Sequence, residues 1–388
     1  IFCDAMVDIE SLGVQITKYP TEGSVPYAVL VGRSNARWWL IPLTNKKVTI
    51  SGLALFQPIL TSAKLMKKAV TILFSLRLGW LWAKPRIYIS KTPNVARHFG
   101  NDNLSYAYFT GTDSPHRKVA VQVMDLDGNL KGFVKVTNNP QVGILLQHEA
   151  SILEHVNGLE LTSALVPKVL FSGEEDGVTL LVTDTVKTAQ TPTETSFLEA
   201  HLAFVQELSK KTSVLPQVSA GFIASNFRER FSLIQPHLEE TWAHRLDEAI
   251  SYLEAQPMLH LPACLSHGDF TPWNTFMTNG RLYVFDWEYA ELICPPSNDI
   301  IHFVLNEPQT RNQSASDKIK TAMTCLIQTW PDIQQQTASV MLMIYMLTQS
   351  MRQIERLPAD STRQNNDWDG AEDNAAIFDG MSAVTTDN

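Results

Sequence analysis

Residues 264–290, CLSHGDFTPWNTFMTNGRLYVFDWEYA, hold most of the chain's reactive side chains. Asp269 and Asn274 stand five apart, and Pro272 between them breaks any helix, so the segment must be a tight loop. A loop of that length can aim the carboxylate outward while the amide oxygen turns back toward a cation. The stretch RLYVFDWEY then reads as a short strand ending on Asp286, and Asn279-Gly280 is a hairpin turn that would bring Asn274 and Asp286 together. A carboxylate that orients a hydroxyl and takes its proton, beside hard oxygens for Mg²⁺, is what phosphoryl transfer asks of a protein. The nucleotide phosphates need in addition a cation and backbone N–H donors. Singly, each of these residues is an ordinary turn or surface residue; it is their joint order and spacing that carries the signal.

The flanking sequence supplies elements to hold such a loop. YAYFTG, KVAVQVMD and GFVKVT alternate as strands, with a hairpin turn at Asp127-Gly128-Asn129. A helix is expected over about 143–157, then strands KVLFSGEE and VTLLVTD, turning at Asp176-Gly177. After Thr191 the pattern is mostly helical, interrupted by the loop and its two short strands and resuming near 298–306, 314–329 and 332–357. The last of these, with ASVMLMIYML, is apolar nearly all round and reads as a buried core helix.

The Asp-to-Asn spacing is that of the protein-kinase loop H-R-D-x-x-x-x-N. HGDFTPWN followed by a strand and FDWE resembles more closely the aminoglycoside phosphotransferase and choline kinase group of the protein-kinase-like fold. The resemblance extends in layout over about 100–357 and is highly specific only in 266–300. It implies an α+β, two-lobed fold with a β-rich N-lobe containing one helix and a helical C-lobe, here with an extra N-terminal α/β unit. It implies Asp269 as catalytic base, His267 as a brace of the loop, and Asn274 and Asp286 as Mg²⁺ ligands. Asp299, in PPSNDIIHF, matches the family's later aspartate, which orders the catalytic loop; a helix N-cap at Asn298 or Asp299 is the alternative.

The same resemblance asks for a phosphate-binding lysine with a carboxylate partner. Lys135 in GFVKVT is the lysine of the β-rich lobe that apolar residues flank within a strand; the alternative is an edge-strand charge. Glu149 lies fourteen residues on, with Glu154 the less favoured partner. Gly111 and Thr112 fall in YFTGTDSPHRK, a phosphate-covering loop with one glycine where a protein kinase has three. Adenine is expected on the backbone near Val182–Thr185, involving Thr183 and Thr185. The cofactors implied are ATP, with GTP as the alternative, and Mg²⁺. The acceptor would be a small hydroxyl compound. Trp242, Trp273 and Trp287 either stack on it or belong to the core.

Composition narrows the class. The 388 residues, 44% hydrophobic and 18% charged, describe an ordinary globular protein. Four cysteines, far apart and without a CxxC pair, argue against a zinc site or disulfide framework and suit a reducing compartment. The opening residues lack a signal peptide's layout, and no apolar run reaches the length of a membrane span, so a cytoplasmic protein is expected. Nucleic acid is not an expected partner. The net charge of −9 hides an asymmetry: residues 23–101 contain twelve Lys and Arg and no acid, so all 40 acidic residues lie elsewhere.

That block sets the expected division: 1–98 a basic accessory unit, 99–186 the nucleotide-binding N-lobe, 187–358 the helical lobe and 359–388 a disordered acidic tail. The function expected is ATP-dependent phosphorylation of a small hydroxyl compound, in envelope-glycan metabolism if the basic unit contacts an anionic inner-membrane surface or glycan precursor. The alternative is a catalytically silent kinase-like module that binds such a surface. Lys64, Lys67 and Lys68, at helical spacing beside an apolar run, and Lys84, Arg86 and Lys91 after it suggest that contact, together with Trp38, Trp39, Trp80 and Trp82.

Overall fold

The computed structural model describes residues 2–31, 37–56, 61–76, 78, 87–90, 92–100, 103–111, 116–192, 194–214, 216–357, 368 and 370–386. Thr112, Trp80, Trp82, Lys84, Arg86 and Lys91 lie outside them. The chain forms two compact units, one of Ile1–Gly158 with Val166–Pro192, the other of Leu159–Leu165 with Thr193–Asn388.

The first unit is built on one antiparallel sheet. Its strands are β1 (Gln15–Thr17), β2 (Val25–Val31), β3 (Trp38–Pro42), β4 (Ile87–Ser90), β5 (Leu104–Phe109), β6 (Val119–Asp125), β7 (Leu130–Thr137), β9 (Val169–Glu175) and β10 (Val178–Asp184). They run in the order β1-β4-β2-β3-β5-β6-β7-β10-β9. This corrects the expected separate unit over 1–98: Trp39 and Leu40 of β3 pair with Phe109 and Tyr108 of β5, so the early strands continue the later sheet. The reason is in the alternation. Tyr106, Tyr108, Val119, Val121, Val134, Val136, Leu180 and Val182 line one face, and Tyr27, Leu40 and Ile89 of the early strands extend it. Ile9 and Leu12, in and just after helix α1 (Phe2–Glu10), join that core and are 0% and 2% exposed. The early chain thus buries an apolar face that five strands alone would leave to water.

On the opposite face, helix α4 (Pro140–Gly158) packs Leu146 and Ala150 against Leu181. Helix α2 (Lys46–Gly52) begins at Asn45, whose Oδ1 accepts the Val48 N–H, and packs Val48 on Ala107 and Met124. The apolar stretch from 52 to 82 is divided: a 3-10 turn at Leu53–Leu55 follows α2, and helix α3 (Thr61–Ser75) begins beyond the undescribed residues 57–60.

The second unit is mainly helical: α5 (Glu199–Thr212), α6 (Ala220–Ile234), α7 (Glu240–Glu254), α8 (Ser297–Asn306), α9 (Ala315–Thr329), α10 (Gln335–Arg356) and α11 (Ala371–Thr386). Its core gathers Phe227, Leu246, Ile250, Leu326 and the buried middle of α10, Val340 to Leu347. The tail expected to be disordered is corrected in part. α11 adds Ile377, Phe378 and Met381 to this core, and its acids pair with Arg245 (Asp379, 2.7 Å) and Lys318 (Asp373, 2.9 Å). Short strands β11 (Val218–Ser219) and β12 (His260–Leu261) pair, as do β13 (Cys264–Ser266) and β16 (Glu291–Cys294), and β14 (Thr275–Thr278) and β15 (Arg281–Val284), the last also meeting β8 (Ala164–Leu165). The halves thus have the β-rich and helical characters expected of an α+β chain. No described helix is long and apolar enough to cross a membrane.

Candidate active site

The loop that leaves β13 is tied down by backbone and side chain together. Gly268 has φ +77°, and a Cβ there would lie 1.9 Å from the Tyr289 carbonyl oxygen, so only glycine fits between His267 and Asp269. Asp299, in the first turn of α8 and 2% exposed, accepts three hydrogen bonds from the loop. Its Oδ1 takes Ser266 Oγ at 2.8 Å and the Gly268 N–H at 3.0 Å, and its Oδ2 takes the His267 N–H at 2.8 Å. Arg352 of α10 donates to the Gly268 carbonyl at 2.6 Å and pairs with Glu291. The sequence signalled Asp299; it gave no sign of Arg352, which is linked to the loop only through the folded chain.

His267 is fully buried. One ring nitrogen bonds the Phe285 carbonyl at 3.1 Å, and the other accepts the Asp269 N–H at 3.3 Å. Burial holds its pKa below the ordinary histidine value, so the ring is neutral, Nε2–H donating to Phe285. It acts through the backbone on both sides of the loop.

Asp269 is held at both carboxylate oxygens. Asn274 Nδ2 donates to Oδ2 at 2.9 Å and to the Asp269 carbonyl at 3.0 Å. With that amide nitrogen committed, the Asn274 side chain has its oxygen left as a ligand. His302 of α8 meets Oδ1 at 3.0 Å, and its other nitrogen meets the Tyr345 hydroxyl at 3.1 Å. A carboxylate only accepts, so His302 Nε2–H donates to Asp269 Oδ1, while Nδ1 shares a hydrogen bond with the Tyr345 hydroxyl, which can serve as donor or acceptor. His302 was missed in the sequence. Its position three residues after Asp299, on the same helix face, was the available signal.

The β14–β15 hairpin does what its turn promised. Thr275 pairs with Val284, and the Phe285 N–H donates to the Asn274 carbonyl at 3.1 Å, which sets Asp286 next to the loop's end. Asp286 has φ +71°, a left-handed conformation uncommon for a residue with a Cβ and frequent at working sites. A carboxylate oxygen of Glu288 lies within 4.8 Å of one of Asp286. Glu288 stands in the quoted DWE but received no role from the sequence. The amide and carboxylate oxygens of Asn274, Asp286 and Glu288 are hard donors, a set that suits Mg²⁺ and not a thiophilic metal.

In the first unit, Lys135 Nζ sits 2.6 Å from both oxygens of Glu149, on β7 and α4 respectively, while Glu154 faces solvent. Gly111 has φ +78°, and a Cβ would fall 2.3 Å from the Lys118 carbonyl oxygen, so the hairpin after β5 needs its one glycine. Thr183 pairs with Phe133 in the sheet, and Thr185 Oγ1 accepts the Lys187 N–H at 3.0 Å. Trp242 and Trp287 are 3% and 0% exposed and belong to the core; Trp273 is half-buried, with the Arg311 guanidinium 5.7 Å from its ring.

Residues 202–316, which include Asp269, Asn274, Asp286 and Asp299, match the family model described as Phosphotransferase enzyme family. No curated protein matches the chain. Similar solved structures include APH(2")-IIa in complex with gentamicin (15% identity, 73% of this chain and 96% of that one, TM-score 0.48). Others are a GDP complex of a variant aminoglycoside 2'-phosphotransferase IIIa (14%, 75% and 96%, 0.49) and a variant APH(4)-Ia with ADP and hygromycin B (16%, 74% and 96%, 0.48). Over the segment that forms the loop and its hairpin, the chain is therefore similar to phosphotransferase enzymes.

Proposed function

We propose that the protein transfers the γ-phosphoryl group of ATP or GTP to a hydroxyl of a small molecule. The observation that carries this reading is the loop itself: Asp269 is clamped by Asn274 and His302, with Asp286 set beside Asn274 by the hairpin. Asp269 orients the acceptor hydroxyl and takes its proton as the acceptor oxygen bonds to the γ-phosphorus and the bond to the β,γ-bridging oxygen breaks, releasing the nucleoside diphosphate. Asn274, Asp286 and Glu288 would hold Mg²⁺, which neutralises charge on the phosphate oxygens. Lys135, aimed by Glu149, would hold the nucleotide phosphates, and the backbone about Gly111 and Thr112 would cover them. Thr183 and Thr185 mark the backbone offered to the base. His267, Asp299 and Arg352 keep the loop in one conformation, so no reorganisation is needed during transfer.

The completeness of this set favours catalysis over a silent module. An acceptor with a positive charge (an aminoglycoside-like sugar or an amino alcohol) suits the acidic helical half, with Trp273 as a stacking face. An envelope-glycan precursor fits the same chemistry. Thermal shift with Mg-ATP, followed by ADP release across a library of sugars, amino sugars and amino alcohols, tests the reading. Absence of any Mg-ATP-dependent shift would overturn it.

A further inference from the structure

α3 has two apolar faces, and one faces solvent. Val70 is 3% exposed and packs on Ile41 and Leu53 with Phe74, which anchors the helix to the first unit. Leu65, Ile72 and Leu76 are 63%, 56% and 63% exposed. Leu76 belongs to the same helical path, since its N–H donates to the Ile72 carbonyl at 2.9 Å. Positions i, i+7 and i+11 fall within about 40° of one another on a helix of 3.6 residues per turn, so these three form a single outward stripe, roughly 140° round from Val70. Exposed Lys64 and Lys68 border the stripe on one side, and Lys46 Nζ reaches the Ser75 carbonyl at its end at 2.7 Å. Among the described residues no ion pair reaches Lys64 or Lys68, although Lys47 of the same block pairs with Asp127 at 2.7 Å.

We propose that α3 lies on an anionic bilayer surface, with Leu65, Ile72 and Leu76 in the acyl boundary and Lys64 and Lys68 among the headgroup phosphates. An aligned aliphatic stripe beside a basic row is the pattern of an interfacial helix. A polyanion such as nucleic acid would use the lysines and leave the stripe wet. A twofold contact with another copy through α3 would set the Lys64 and Lys68 row of one copy close to that of the other. This inference does not depend on the phosphotransfer reading, because docking is measured without nucleotide or acceptor. It does imply an acceptor met at a membrane face.

The test uses the full chain and vesicles of phosphatidylcholine alone or with 30% phosphatidylglycerol, in cosedimentation at low and at 0.5 M salt. Binding to the anionic vesicles at low salt, weak binding to neutral ones and release by salt are expected. Lys64→Glu with Lys68→Glu should weaken binding at least ~25-fold, about fivefold per lysine. Leu65→Ser, Ile72→Ser and Leu76→Ser together should weaken it by about 100-fold or more, with far-UV circular dichroism and Tm unchanged because all three are exposed. Equal or negligible binding to both vesicles overturns the proposal, as does anionic binding that ignores the triple serine variant. Self-association removed by that variant, without vesicle binding, overturns it in favour of a second copy.

Discussion

Asp299→Asn keeps the size of a side chain that is 2% exposed and removes its charge, so it isolates what the carboxylate does for the loop. Three donors converge on Asp299: Ser266 Oγ, the Gly268 N–H and the His267 N–H. With the amide oxygen in the place of Oδ1, the new NH₂ faces the His267 N–H, donor against donor. Flipped, it faces Gly268 N–H instead, while the Ser266 hydroxyl can rotate to accept. Either way one buried backbone donor loses its acceptor, at about 1–3 kcal/mol, and the remaining bonds lose their charge assistance, about 1 kcal/mol more. The expected loss is ~2–4 kcal/mol, read as a lowered urea midpoint at pH 7.5, and Asp299→Ala should lose more. Turnover should fall in parallel, since Gly268 and His267 fix the backbone of Asp269. An Asn variant within ~0.5 kcal/mol of the parent would refute the idea that this carboxylate holds the loop.

Asp286→Ala should weaken Mg²⁺-dependent ATP binding by at least about tenfold, and Asn274→Ala by less because a neutral amide oxygen is the weaker ligand; calorimetry with and without Mg²⁺ separates the two. His302→Ala removes the partner of Asp269 Oδ1, so kcat should drop by about tenfold with Mg-ATP affinity unchanged, and His302→Gln should recover part of it. His201 packs among Phe197, Phe270 and Phe303, and burial pulls its pKa from 6.5 to about 4. The unfolded chain then takes up a proton between pH 6.5 and 4 that the native state refuses. Stability is therefore full above pH 6.5 and declines toward pH 4 by up to ~3 kcal/mol. Urea midpoints at pH 7.5 and 5 should show that decline, and His201→Asn should flatten it.

What the sequence revealed was local. Asp269, Asn274, Asp286 and the turn at Asn279-Gly280 sit within one short stretch, where spacing constrains geometry, whereas Lys135 and Glu149 came only from the resemblance, which asks for a strand lysine and a carboxylate on the helix after it. Helices α8, α9 and α10 lie within three residues of where periodicity put them, because their apolar positions repeat at the helical period. What escaped depends on contacts between distant residues. Trp39 pairs with Phe109 across seventy positions, so continuity of the sheet could not be read from a change in texture near residue 98. In α11, Ile377, Phe378 and Met381 make a stripe too short to stand out from the surrounding acids, yet it finds Ile319 and Trp242 in the fold. Arg352 reaches the loop from a helix whose own periodicity says nothing of what it faces, and His302 could be picked out only by sharing a helix face with Asp299.

The central claim is that Asp269 serves as the base of a Mg²⁺-dependent phosphoryl transfer, and the direct measurement is transfer from γ-labelled ATP by the parent and by Asp269→Asn, alongside ATP affinity for each. The account predicts that the parent phosphorylates at least one small hydroxyl acceptor only when Mg²⁺ is present. It predicts that Asp269→Asn slows transfer by about 10²–10⁴-fold, the range for loss of a general base, with ATP affinity within about twofold of the parent. A variant that keeps more than about a tenth of the parent's turnover, or a parent that fails to bind Mg-ATP, would contradict it.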